Sequence, residues 1–179
     1  TAIHVAKAMG ARVIAAASSQ EKLDLCKTQG ADELILYSKD SMDKASQKVF
    51  SDEIKTLTEK NGVDVVFDPV GGAYSEPALR AMAWKGRYLV IGFTSSIPTI
   101  PLNLALLKGC QIVGVFWGNF CVKEPLLNAA NFKDLFTMYD EGEIKPFVVK
   151  TYPLEETGYA IGLLAKREAL GKIAIKVRD

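Results

Sequence analysis

The sequence predicts an α/β fold, a doubly wound parallel sheet, on three observations. Apolar runs of strand length alternate with segments of helical period along the whole chain. Each run is apolar at nearly every position, the pattern of a strand buried on both faces by helical crossovers. Glycine-bearing polar or aromatic turns follow the strands, and parallel crossovers bring such turns to one edge of a sheet, where ligands bind.

The opening stretch TAIHVAKAMGAR reads as the tail of a helix closed by Gly10, with no capping signal before it, as expected of a portion of a longer chain. RVIAAA (12–17) is a buried strand and SSQEKLDLCKTQG a helix closed by Gly30. ELILY (33–37) is the next strand, and a polar helix over roughly 42–60 ends at Asn61-Gly62. VDVVFD (63–68) is a strand that runs into PVGG, and YSEPALRAMAW is helical. GRYLVIGF (86–93) is a buried strand, followed by TSSIPTIP, which continues neither period. LNLALLKG is a short helix leading into the strand CQIVGVFW (110–117), a helix covers 122–141, and the closing stretch gives strand, helix and strand.

With 179 residues and 49% hydrophobic composition the chain can bury one real core, and a net charge of +1 offers no field for nucleic acid or an acidic membrane. No apolar run is long enough to span a bilayer. Cys26, Cys110 and Cys121 stand apart without a C-x-x-C pair, which argues against a zinc site or a disulfide framework and for a reducing compartment, the cytoplasm or the mitochondrial matrix.

Four turns carry the candidate chemistry: Ser18-Ser19, Asp68 to Gly72, Gly92 to Ser96, and Phe116 to Asn119. In a dinucleotide-binding sheet, an acid at the first of these junctions accepts hydrogen bonds from a ribose diol. No acid stands at Ser18-Ser19. Two hydroxyl donors, a helix N-terminus and Lys22 one turn on suit a phosphate instead. Tyr37, closing the next strand, can reach the same group. The alternative is that Ser18 merely caps the helix, with Glu21 completing a capping box and Lys22 solvated.

These turns, together with AKAMGARVIAAASSQEKLDLCKTQGAD, VDVVFDPVGG, GRYLVIGF and GKIAIKV, resemble the medium-chain dehydrogenase/reductase superfamily, specifically its zinc-independent quinone oxidoreductase branch. The resemblance implies a Rossmann-type sheet lacking its first, central strand and glycine-rich turn. It implies a partial dinucleotide-binding domain over 1–145 and a C-terminal segment over 146–179 that returns to a substrate domain. NADPH is the implied cofactor, with Lys22 and Tyr37 on its 2′-phosphate and Ser18 beside the adenosine ribose. Val70 is placed against the adenine or its ribose, with Gly71 and Gly72 structural. Gly92, Phe93 and Thr94 are placed beside the nicotinamide ribose, with a plain strand exit as the alternative. Phe116 and Trp117 fall where the nicotinamide lies, Phe116 as the core candidate and Trp117 as the wall of the substrate side. The edge strand 110–117 is expected to pair with its twin in a homodimer, and the substrate is a small molecule.

No catalytic acid, nucleophile or metal cluster is apparent from the residues. His4 reads as a surface or packing residue, Cys26 and Cys110 as core or near-core, and Lys172 as a solvated lysine or a cofactor contact. The expected function is an NADPH-dependent reductase, or its cofactor-binding portion, moving a hydride to a quinone, enone or similar conjugated carbonyl. The alternative is a non-catalytic nucleotide-binding or structural dimer module. A methyltransferase ranks below both, because it would want an acid at Ser18-Ser19.

Overall fold

The computed structural model describes residues 1–38, 42–166 and 168–178. The chain divides into two compact units, Thr1–Leu34 with Asn131–Asp179, and Ile35–Ala130. The expected α/β alternation is present. The described strands form separate sheets with the orders β1-β2, β3-β4-β5 and β6-β7.

In the first unit, α1 (Ala2–Ala8) ends at Met9, and Gly10 takes φ 78, the left-handed closure expected of that glycine. β1 (Ile14–Ala17) leads into α2 (Gln20–Thr28), which buries Leu23 and packs against β1. β2 (Glu33–Leu36) starts beside β1 through bonds from the amides of Asp32 and Glu33 to the Val13 carbonyl, at 2.9 and 3.1 Å. Asp32 fixes that start. Its carboxylate accepts the Val13 amide at 2.6 Å and the Lys7 ammonium at 2.9 Å, and these bonds hold its carboxyl below the usual range. The unit closes with the parallel pair β6 (Val148–Pro153) and β7 (Lys172–Lys176) around α8 (Thr157–Ala165), as the closing stretch predicts. Arg167 and Asp179 of that stretch lie outside the described residues. His4 accepts the Lys145 amide at Nδ1, 3.4 Å away, a packing role.

In the second unit, α3 (Lys44–Leu57) is capped by Asp43, whose carboxylate accepts the Ser46 amide at 2.8 Å, and buries Phe50 and Ile54. β3 (Val63–Asp68) has the bounds the sequence predicts. A short turn of 3-10 helix (Gly72–Tyr74) and α4 (Ser75–Arg80) follow, then β4 (Met82–Val90), α5 (Asn103–Lys108) and β5 (Gln111–Gly114). Both strand pairs are parallel. The core joins Leu79, Met82, Tyr88 and Leu104, with Val63, Val66, Val90, Cys110 and Ile112 against it.

The structure departs from the sequence pattern in three places. The helix expected over YSEPALRAMAW ends at Arg80, because Met82 already pairs with Val63 and the buried Met82 and Ala83 start β4. β5 stops at Gly114, so Val115, Phe116 and Trp117 are not strand residues. The helix expected over 122–141 is two helices, α6 (Trp117–Lys123) and α7 (Pro125–Asp140). Proline forces the residue before it out of helical geometry, and Glu124 sits at φ −130, while Pro125 opens α7 where a missing N–H costs nothing.

Candidate functional site

The second unit gathers its loops by register. Asp68 pairs with Val90 and Val90 with Gly114, so β3, β4 and β5 end level with one another at their carboxyl ends. Beyond that line the first two exit loops continue the ladder. The Ile91 amide donates to the Asp68 carbonyl at 3.0 Å, Thr94 to Pro69 at 3.3 Å and Ser95 to Val70 at 2.8 Å. The Gly72 amide returns a bond to the Ser96 carbonyl at 2.8 Å. Pro69–Gly72 and Thr94–Ser96 thus form one main-chain ledge.

Two glycines permit this closeness. Gly71 has φ 70 and ψ −150, and a Cβ there would lie 2.6 Å from the Ser96 carbonyl oxygen. Gly72 has φ 61, with the Ser95 and Ser96 hydroxyls 2.9 Å from where its Cβ would be. The close approach is between the two loops themselves, which agrees with the structural role expected of both glycines.

Asp68 organises the turn. Its Oδ1 accepts the amides of Val70 and Gly71 at 2.8 and 2.9 Å, an Asx turn. Its Oδ2 accepts the Ser75 hydroxyl at 2.9 Å and the Tyr88 hydroxyl. The carboxylate therefore ties the loop to α4 and to the centre of β4. Burial strips solvent from any Tyr88 phenolate and the Asp68 carboxylate binds the phenol proton, so the Tyr88 hydroxyl is pushed well above the usual tyrosine range. Tyr88→Phe should cost about 1–2 kcal/mol in urea melts at neutral pH, because Tyr88 is 3% exposed and its bond partner loses a donor. The sign with pH follows from a folded pKa raised above the unfolded one. The stabilisation is complete below the ordinary tyrosine value of about 10. It fades as pH rises toward the folded value, so the gap between wild type and Tyr88→Phe should narrow in alkali; a gap that widens there would contradict the assignment.

The sequence-predicted residues fall as follows. Val70 and Thr94 lie on the ledge and Gly92 and Phe93 immediately before its second run, with Phe93 47% exposed and the Thr94 hydroxyl donating to the Pro69 carbonyl at 3.3 Å. Phe116, expected in the core, is 76% exposed at the start of α6 because β5 has already ended. Trp117 opens α6, 61% exposed, and its indole N–H donates to Asn128 Oδ1 at 3.3 Å. Tyr37 stands at the end of β2, flanked by Phe50 and Tyr74. The sequence marks Asp68 only as the first residue of its turn and does not mark Tyr74. A D-P-x-G run after a strand is a legible Asx-turn signal, whereas nothing in the spacing marks Tyr74.

In the first unit, Ser18 and Ser19 join β1 to α2. The cap is Ser19, not Ser18: its Oγ accepts the Lys22 amide at 3.4 Å. The capping box of Ser18 with Glu21 is therefore not formed, and Glu21 is an exposed first-turn residue. Ser18 and the half-buried Lys22 flank that cap. Cys26, Cys110 and Cys121 are all free thiols, partly buried, and burial pushes the Cys26 thiol up, away from nucleophilic use. Among the described residues there is no cluster of three or more His, Cys, Asp or Glu placed to hold a metal, and no helix long and apolar enough to cross a membrane.

Parallel strands with crossover helices and loops gathered at their carboxyl ends define a Rossmann-type α/β protein. The zinc-binding dehydrogenase family matches residues 1–132, and the chain belongs to it, within the medium-chain dehydrogenase/reductase superfamily. Quinone oxidoreductase-like protein 2 of Bos taurus is 33% identical over 169 residues, 94% of this chain and 46% of that protein. A mycobacterial protein whose native structure is complexed with NADPH superposes with a TM-score of 0.82 at 26% identity, over 98% of this chain and 53% of that one. The crystal structure of an NAD-dependent alcohol dehydrogenase superposes at 0.80 with 30% identity, over 99% of this chain and 47% of that one. The chain spans about half the length of these relatives.

Proposed function

We propose that this chain is the cofactor-binding part of an NADPH-dependent oxidoreductase that transfers a hydride to a quinone, enone or similar conjugated carbonyl. The observation that carries the reading is the β1–α2 junction: two serines and Lys22 at a helix start, with no acid between strand and cap. A capping serine accepts with its oxygen and keeps its O–H to donate, so Ser19 can serve helix and phosphate together. First-turn amides and the helix dipole add to the field. This donor set fits a phosphate and would leave a ribose diol without an acceptor carboxylate. The NADPH-bound mycobacterial relative supports the same choice, while the NAD-dependent relative makes the specificity worth testing.

When bound, the dinucleotide supplies the hydride. The residues this reading assigns to it are Ser18, Ser19 and Lys22 at the β1–α2 turn, Tyr37 after β2, and Val70, Gly92, Phe93, Thr94, Phe116 and Trp117 in the loops after β3, β4 and β5. Rate enhancement then comes from holding donor and acceptor together, with no residue of this chain required to change its bonds and the proton that completes the reduction taken from solvent. The domain reading of 1–145 as dinucleotide-binding and 146–179 as a returning segment belongs to this proposal, as does a homodimer through the open edge of β5.

Lys22→Ala is expected to weaken NADPH binding about tenfold and to flatten its salt dependence, from the loss of one charge-assisted bond, while NADH binding is unchanged. Titration of protein fluorescence with each cofactor measures this, and equal affinity for NADH and NADPH in the wild type would reject the specificity. A second reading, a nucleotide-binding module without turnover, is separated from the first by an assay against a quinone panel.

A further inference from the structure

We infer that Tyr74 is a positioning residue for cofactor discrimination, setting the direction in which the Tyr37 phenol points; the inference rests on the NADPH reading. Tyr37 is the first residue beyond β2 and lies half-buried at its carboxyl end. Two rings hold it. Phe50, buried on α3, meets it edge-on at 6.2 Å and 86°, and Tyr74 lies against it at 4.5 Å and 49°. The first is the favoured edge-to-face geometry and the second a close tilted contact.

Tyr74 also grips the main chain. Its hydroxyl donates to the carbonyl of Ser38, the residue after Tyr37, at 2.8 Å. One side chain thus fixes both the ring and the backbone that carries it. Tyrosine has two side-chain torsions, and partners on two sides leave the phenol one direction. Tyr74 itself is delivered by the 3-10 turn that starts at Gly72, directly after the ledge. The chain that leaves the ledge therefore sets the residue that reads the far end of the dinucleotide. Tyr74 needs no contact with the cofactor to do this.

The test measures affinity of the full chain for 2′,5′-ADP, which carries the extra phosphate, and for 5′-AMP, which lacks it. Tyr37→Phe is expected to weaken 2′,5′-ADP about tenfold and leave 5′-AMP unchanged. Tyr74→Leu should reproduce that selective loss, by about fivefold, and should add less than about twofold once Tyr37 is already Phe, as expected when one residue acts through the other. Tyr74→Phe keeps the ring and removes only the bond to Ser38. A selective loss of about threefold in this variant supports the inference even where the leucine variant melts early, and full retention overturns it. Equal weakening of both nucleotides, or losses that simply add to those of Tyr37→Phe, would show a structural role alone and overturn the inference while the NADPH reading stands. If the wild type binds 2′,5′-ADP no better than 5′-AMP and Lys22→Ala is silent, both fall together.

Discussion

Gly71→Ala is expected to lower stability by roughly 2–4 kcal/mol and to weaken dinucleotide binding more than any change to the ledge's side chains. The backbone angles at this residue, φ 70 and ψ −150, fall in a region open in practice to glycine alone. Adding a Cβ also drives it to within 2.6 Å of the Ser96 carbonyl oxygen, a main-chain atom that cannot swing aside. Relief of either strain breaks the bond from the Gly72 amide to Ser96, and the ledge opens. Gly72→Ala is the natural comparison. It meets serine hydroxyls that can rotate away, so it should cost only about 1–2 kcal/mol, the price of its φ of 61. Urea melts of the two variants decide the matter, and a Gly71 variant no weaker than the Gly72 variant would show that the loops separate freely.

Gly62→Ala should be as damaging, at about 3 kcal/mol or more, and leave part of the population unfolded. At φ 83 its Cβ would lie 2.7 Å from the Ala81 oxygen, the Ala83 nitrogen and the Met82 carbonyl carbon. Those atoms belong to the passage from α4 into β4, whose bond from the Val63 amide to the Ala81 carbonyl begins the β3–β4 ladder. Gly10→Ala isolates the backbone term, since φ is 78 there with no heavy atom within 4 Å of the added carbon. It should lose only about 1–2 kcal/mol. Equal losses at 62 and 10, by calorimetry, would mean that the start of β4 yields.

The same junction explains what could be read from the sequence. VDVVFD bounded by Asn-Gly and Pro announces a strand, and β3 forms over those residues. The sequence pattern overextends the helix after it, because the apolar residues of ALRAMAW satisfy a helical period locally. What ends the helix at Arg80 is a distant partner, Val63, which takes Met82 into the ladder. Phe116 and Trp117 show a related failure. Aromatic residues continuing an apolar run look like strand and core, yet among the described residues β5 pairs with β4 alone, and its ladder ends at Gly114. Of the candidate site, the β1–α2 turn and the glycine pair were legible because they rest on local chemistry. Tyr74 was not, since its meaning depends on Tyr37, which lies far from it in sequence and beside it in space.

The ledge has a consequence for how such a chain can diversify. Its shape is specified mainly by peptide groups, two glycines and one aspartate, so the side chains at Val70 and Phe93 can be exchanged without redrawing the surface beside them. Relatives could therefore acquire new preferences by point substitution at these positions, whereas insertions or deletions in either loop would dismantle the platform that makes such exchanges tolerable.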